Sequence, residues 1–184
     1  MGCAAPNPMH WQDLLSVSPQ AAEVDFLNAR YRVDPVARSI TELEPDPQRV
    51  LTQSFQVLLI RYLTSAGGEL TGEEITEKDL PGGVTFFQGP HALQVAPVAE
   101  RFGSDPESFL SRGRELGAEP VSHGDAAVRF WPFEKIPVTY VLWKADDEFP
   151  ASVSVLFDGS IGSWFEADMI FLMVGEITAR ILEE

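Results

Sequence analysis

Residues 126–157, with the sequence AAVRFWPFEKIPVTYVLWKADDEFPASVSVLF, decide the fold. Three short runs in this stretch, 126–131, 138–143 and 152–157, are rich in β-branched and aromatic residues and are bounded by turn residues, a pattern that predicts strands. The connection 144–150 is long enough for a hairpin loop but too short for the crossover that parallel strands require. The stretch therefore predicts a three-stranded antiparallel meander.

The sequence downstream of this meander predicts a long C-terminal helix. Ser163 and Glu166 have the spacing of a capping box, in which each side chain satisfies a backbone amide that the first helical turn leaves unbonded. The apolar arc of the helix is broader than one buried stripe needs, so a second packing surface, for example a dimer contact, is an alternative use of it. The residues of this arc are Phe165, Met169, Ile170, Phe171, Leu172, Val174, Ile177 and Ile181.

The sequence upstream predicts short helices and short strands. Proline near the start and glycine just past the end predict two consecutive short helices, one that ends at Gly103 and one that runs from Asp105 to Gly117. The other predicted elements are a helical turn at 8–15, a helix at 18–29, strands at 31–33 and 39–43, a helix from Asp46 to Gly67 and Gly68, and a strand at 84–87.

Length and composition indicate the domain organisation. A chain of 184 residues with 45% hydrophobic residues is typical of one domain that buries one core. We expect a flexible tail at residues 1–9 and a single α+β domain at residues 10–184. In this fold class, an antiparallel sheet made of the C-terminal meander and the short N-terminal strands packs against several helices, including the long C-terminal helix.

The chain is strongly acidic. It has 13 Lys and Arg residues against 28 Asp and Glu residues, a formal net charge of −15. Such a surface repels nucleic acid phosphates and anionic lipid headgroups, so we expect neither as a partner. No apolar run approaches the ~20 residues of a membrane span, and the N-terminal sequence lacks a secretory pattern, which favours a cytoplasmic location. Cys3 is the single cysteine, so we expect no internal disulfide, and no motif identifies a cofactor.

Two histidines are candidates for a binding or acid–base role. His91 follows a Gly-Pro pair at a predicted helix start, and His123 lies in a predicted turn. Neither has a second histidine three or four residues away, so no local metal pair forms and we expect no metal site. The alternative is that each ring simply forms a hydrogen bond or contacts solvent.

A second set of candidates surrounds the meander. Four aromatic residues cluster in sequence around the meander, and aromatic residues with a few polar neighbours are typical of small-ligand pockets. The aromatic residues are Trp131, Phe133, Trp143 and Phe149, and the polar rim is Asp125, Asp147 and Glu148. Core packing and a solvated turn are the alternatives. A metal site shared with Asp158 is not expected, because the predicted hairpin separates that residue from the turn by ~23 Å at ~3.3 Å per residue.

Several short motifs carry a resemblance to a known family. They are Leu70-Thr71-Gly72-Glu73, the sequence DLPGG at 79–83, Trp143 followed by DEFP at 147–150, and LFD at 156–158. In their order and spacing the chain resembles the family known as domain of unknown function 3786, from about Trp11 to Leu182. The resemblance implies no assigned catalytic residues. Longer relatives attach a cysteine-rich iron–sulfur segment and are common in anaerobic microbes, which implies an accessory role in redox or cofactor metabolism, with any cluster held by a partner.

Three function hypotheses follow from these observations. The first is a noncatalytic ligand-binding or accessory module with an unidentified small ligand. The second is a small enzyme that uses Asp125, Asp147 or Glu148 with His91 or His123 as acid or base. The third is an interaction scaffold or homodimer that uses the C-terminal helix to bind a protein partner.

Overall fold

The computed structural model describes residues 8–46 and 50–183. In this part of the chain, two antiparallel sheets pack with helices, which confirms the predicted α+β class, and the N-terminal strands form a sheet of their own instead of joining the sheet of the meander. In chain order the elements are α1 (Pro8–Val17), β1 (Ala22–Phe26), β2 (Ala29–Asp34), β3 (Ser39–Glu42), α2 (Gln53–Thr64), β4 (Glu74–Ile75), α3 (Gly83–Phe86), α4 (Ala96–Phe102), α5 (Pro106–Glu115), β5 (Glu119–Val121), β6 (Ala126–Phe133), β7 (Ile136–Trp143), β8 (Ser152–Asp158), α6 (Ile161–Trp164) and α7 (Ala167–Leu182), with 3₁₀ turns at Glu77–Asp79 and Gly89–His91.

The larger sheet has the strand order β4-β8-β7-β6-β5, and its three central strands form the predicted meander. Trp143 pairs with Ser152 and Val138 pairs with Phe157, so β7 and β8 are joined as a hairpin. The two outermost strands, β4 and β5, are only two and three residues long. The meander prediction is confirmed, and β6 and β7 extend it toward their shared turn.

The smaller sheet, β1-β2-β3, replaces the helix predicted at 18–29. In β1, Val24 and Phe26 are buried whereas Glu23 and Asp25 are exposed, which is the two-residue period of a half-buried strand. The helix prediction was wrong because Ser18 and Pro19 resemble a helix start, while the alternation that follows decides the structure. The strands predicted at 31–33 and 39–43 are present as β2 and β3.

Helix α7 packs against the inner face of the larger sheet. The buried Tyr140 hydroxyl on β7 donates to the Val174 carbonyl at 3.0 Å and lies 3.1 Å from the Thr178 hydroxyl. Burial raises the pKa of Tyr140, so its hydroxyl stays protonated. Ile170 and Val174 are buried as well, because α2 and α4 also contact α7. Contacts within the chain therefore bury much of the broad apolar arc of α7.

Two arginines cap the C-terminal end of α7. Arg112 on α5 donates to the Arg180 carbonyl at 2.7 Å and to the Ile181 carbonyl at 3.2 Å. Arg101 on α4 donates to the Leu182 carbonyl at 2.6 Å. The last carbonyls of a helix have no partners inside the helix and carry partial negative charge, so guanidinium groups stabilise this end.

The start of α7 differs from the prediction. Ser163 lies in the separate short helix α6, and Glu166 is the N-cap residue of α7 without a side-chain cap bond. The Glu166 carboxylate instead accepts two hydrogen bonds from Arg61 on α2, at 2.7 and 2.8 Å. The capping-box prediction was therefore wrong, because the Glu166 carboxylate binds Arg61 on a neighbouring helix instead of a backbone amide at its own helix start.

Two further element predictions were wrong in their detail. The strand predicted at 84–87 is the helical turn α3, which Gly82 precedes with a left-handed φ of 73°. Helix α2 begins at Gln53 rather than at Asp46, because the Thr52 hydroxyl accepts the Phe55 amide at 3.1 Å and caps the first turn. It ends at Thr64, before the predicted Gly67 and Gly68.

The ends of the chain are described only in part. Residues 1–7 of the predicted tail at 1–9, including Cys3, lie outside the described residues. Helix α1 begins at Pro8, so the last two positions of the predicted tail are helical. The helices α4 and α5 confirm the proline and glycine pattern, with Gly103 as the C-cap of α4 and Gly117 just past the end of α5. Of the helices in the described ranges, none combines the length and apolar character that crossing a bilayer requires.

Candidate functional site

A groove lies on the outer face of the larger sheet, opposite α7. Arg129 on β6 pairs with Thr139 on β7, and Thr139 pairs with Leu156 on β8, so the three residues form one row across the sheet. Because side chains alternate along a strand, this row faces away from the Tyr140 side. The groove has a volume of about 310 Å³, and Leu70, Glu74, Trp131, Pro137, Leu156 and Asp158 are among its lining residues.

Charged side chains form the polar part of this groove. The Glu74 carboxylate accepts from Arg129 Nη2 at 2.8 Å and lies 3.2 Å from His123 Nε2. Arg129 Nε also donates to the Thr139 hydroxyl at 3.3 Å. These bonds hold the guanidinium in one orientation. Among the described residues Arg129 Nη1 has no acceptor, so this nitrogen remains available to a ligand.

A buried carboxylate anchors the loop at the groove edge. Asp158, at the end of β8, accepts hydrogen bonds from the backbone amides of Thr71, Gly72 and Ser160 at 2.7–3.0 Å, and from the Thr71 hydroxyl at 3.2 Å. Burial raises the pKa of Asp158, but hydrogen bonds from the Ser160 side chain and from the backbone amides of Thr71, Ser160 and Gly72 outweigh that effect and hold the pKa well below its usual value. The Gly159 amide also donates to the Glu73 carbonyl. The motifs at 70–73 and 156–158 are thus joined in space.

His123 and Asp125 lie close together at the turn between β5 and β6. Both line a surface depression of about 420 Å³. The Asp125 carboxylate accepts the Lys144 amide at 2.8 Å and lies 3.7 Å from Lys144 Nζ, which ties this turn to the end of β7. Asp125 therefore has a structural role in this turn, whereas His123 reaches Glu74 at the groove.

Trp143, Asp147 and Glu148 lie elsewhere, around the loop between β7 and β8. Trp143 is 46% exposed, and both carboxylates are exposed. Asp146 closes the loop: its carboxylate accepts the amides of Glu148 and Phe149, and its own amide donates to the Phe149 carbonyl. The hairpin register places this loop at one end of β8 and Asp158 at the other.

His91 lies apart from the other candidates. Its ring stacks on Phe86 at a centroid distance of 4.8 Å and meets the edge of Phe171 on α7 at 5.9 Å. Because α7 packs on the inner face of the sheet, His91 contacts the opposite side of the molecule from the groove. Across residues 8–46 and 50–183, no three His, Cys, Asp or Glu side chains form a group that could hold a metal ion.

The sequence prediction missed Glu74, Arg129 and Thr139. One signal was available, because Arg129 is flanked by apolar Val128 and Phe130, which is the pattern of an outward-facing charge on a half-buried strand. Its partner Glu74 is 55 positions earlier. In the sheet order, β8 and β7 lie between β4, which carries Glu74, and β6, which carries Arg129, so no local pattern predicts this contact.

The fold and the groove define an α+β protein with a charged groove on the outer face of an antiparallel sheet. The sequence model of a family described as Domain of unknown function (DUF3786) matches residues 9–180, so the chain belongs to that family, as its motifs predicted. Searches of curated proteins and of solved structures each return no match to the chain.

Proposed function

We propose that this chain is a noncatalytic module that binds a small, flat organic molecule with a carbonyl or carboxylate oxygen in the outer-face groove. The single observation behind the proposal is the guanidinium of Arg129. It is held in place by Glu74 and Thr139, while its Nη1 nitrogen has no acceptor among the described residues. In this proposal the module is cytoplasmic and serves as an accessory to redox or cofactor metabolism.

The walls of the groove support a flat ligand. Trp131, Pro137 and Leu156 supply apolar surface beside the guanidinium. A volume of about 310 Å³ falls at the small end of the ~300–1,000 Å³ range of ligand pockets. In this arrangement the apolar part of the ligand would pack on these walls, and its oxygen would accept a hydrogen bond from Arg129. Because two hydrogen bonds already orient the guanidinium, little side-chain freedom is lost on binding.

The electrostatics favour a ligand with one oxygen group over a polyanion. Glu74 already neutralises Arg129, and the chain as a whole carries a net charge of −15. The negative charge of the chain would therefore repel a phosphate-rich ligand, and the only attraction offered by this pair would come from Arg129, whose charge is already shared with Glu74. A single carbonyl or carboxylate requires only the free donor of Arg129.

Titration of the ¹⁵N-labelled protein with benzoate and with acetophenone tests the proposal by NMR. We expect chemical-shift changes at the Trp131 indole and the Arg129 side chain, and a loss of affinity of about tenfold in Arg129→Gln, the change that loss of one charged hydrogen bond produces. Arg114→Gln, at an exposed arginine on α5, is the matched control. Shifts confined to other surfaces, or equal affinity in Arg129→Gln, would refute the proposal.

A second candidate is a small acid–base enzyme, and the contact between Glu74 and His123 favours it. A carboxylate oxygen lies 3.2 Å from His123 Nε2, so two side chains of the types that serve as general acid and base adjoin each other. The same NMR samples separate the two candidates. Probes that bind and remain chemically unchanged over days support the module, whereas a conversion that His123→Gln abolishes supports the enzyme.

A further inference from the structure

Exposed aromatic surface is concentrated at one end of the larger sheet. We define the tip as residues 143–149, the end of β7 and the loop that follows it. Trp143 and Phe149 in the tip are 46% and 66% exposed. Aromatic side chains are the residues that most often anchor protein–protein interfaces, because one ring buries a large apolar area.

The tip is held in one shape. Three hydrogen bonds between Asp146 and residues 148–149 close the loop, and the two that its carboxylate accepts from the Glu148 and Phe149 amides hold its pKa below the usual value. At its start, the Lys144 amide donates to Asp125. After the loop, Ala151 packs so closely against α4 that a Cβ on Gly103 would clash with it. A surface fixed in this way loses little conformational freedom on binding.

The charge at the tip is acidic and uncompensated. In the described part of the chain, the carboxylates of Asp147 and Glu148 have no cationic partner, and Lys144, the one cation of residues 143–149, lies beside Asp125. The whole chain carries a net charge of −15, so its field adds to the local charge. Such a surface attracts a positively charged partner and repels nucleic acid, anionic lipid and a second copy of the same chain.

From the exposed rings, the fixed loop and the uncompensated charge, we propose that the tip is a docking site for a basic segment of a partner protein that carries a large apolar side chain. Phe149 packs against this apolar side chain, and Asp147 and Glu148 face Lys or Arg residues beside it. The docking site is separate from the outer-face groove, so it does not depend on the ligand-binding proposal.

Selection of short random peptides by phage display against the full chain tests the proposal. We expect the enriched peptides to combine positive net charge with at least one large apolar residue. Their affinity, measured by fluorescence anisotropy, should fall about tenfold in Phe149→Ser, the size of effect that truncating an interface anchor produces. It should also fall in the double variant Asp147→Asn with Glu148→Gln, and with added salt.

Two control variants make the outcome decisive. Val84→Ser removes another exposed apolar side chain, and Arg129→Gln alters the outer-face groove. Both should bind the peptides with unchanged affinity. Because Phe149 is exposed, its replacement should leave the circular dichroism spectrum unchanged. The proposal is overturned if no peptide is enriched, if the enriched peptides are neutral or acidic, if Phe149→Ser binds as tightly as the native chain, or if Arg129→Gln weakens binding.

Discussion

Replacing Asp158 by asparagine tests the link between the loop at 70–73 and the larger sheet. The native carboxylate accepts the Gly72 amide on one oxygen, and accepts the Ser160 amide together with the amide and hydroxyl of Thr71 on the other. An asparagine amide keeps only one acceptor oxygen. If this oxygen takes the place with three donors, its NH₂ group faces the Gly72 amide, donor against donor.

The expected loss of stability follows from these contacts. Asp158 is only 8% exposed, so solvent cannot replace the lost acceptor fully. A hydrogen bond to a charged group contributes about 1.5–3 kcal/mol, and a buried donor left without an acceptor costs about 1–3 kcal/mol. Allowing for relaxation of the loop, we expect Asp158→Asn to lower the free energy of unfolding by about 2–4 kcal/mol.

Urea unfolding followed by tryptophan fluorescence measures this change, with Asp147→Asn at an exposed position as the matched control. The control should differ from the native chain by less than about 0.5 kcal/mol. If the two variants unfold alike at pH 7, the loop does not depend on the Asp158 carboxylate and the reasoning fails.

The pH dependence of the same difference provides a second check. The pKa of Asp158 is lowered in the folded chain, so the unfolded state binds more protons and the carboxylate stabilises the fold fully only above its unfolded pKa of about 3.9. The gap between native chain and Asp158→Asn should therefore be constant from about pH 7 to 5 and shrink as the pH falls below about 4. A gap that grows with acidity would contradict this sign.

Three further substitutions test other contacts by the same urea assay. Tyr140→Phe removes the buried hydrogen bonds to α7 and should cost about 1–2 kcal/mol, whereas a change under about 0.3 kcal/mol would show that these bonds add no net stability. Arg112→Gln removes a cap of α7 and should cost about 1 kcal/mol, and Arg114→Gln on the same helix should cost almost nothing. Gly124→Ala combines a left-handed φ of 52° with a clash against β7 and should cost more than about 2 kcal/mol, while Gly117→Ala, with φ of 80° but open space, should cost about 1 kcal/mol.

The meander could be predicted because its signal is local. Val138, Tyr140 and Leu142 face the core between short turn sequences, and hairpin connections fix the order of neighbouring strands. The two short helices around Gly103 were equally accessible, since proline and glycine act on the backbone at their own positions.

The errors arose where tertiary contacts override a local pattern. Ser163 and Glu166 match a capping box, yet Arg61 on another helix binds the glutamate. The candidate site shows the same limit. His123 was identified from residue type alone, but its neighbour Glu74 comes from a distant part of the sequence and lies on the strand at the opposite edge of the sheet.

The two short outer strands of the larger sheet affect how the protein behaves at high concentration. The edge of a sheet offers free amides and carbonyls that a strand from another molecule can pair with, which is one route to aggregation. Here β4 spans two residues, and β5 spans three, one of which is Pro120 with no amide hydrogen to donate. Strand addition from a neighbouring molecule to either strand would form few hydrogen bonds, so the protein can carry a largely apolar central meander with little tendency to polymerise through these strands.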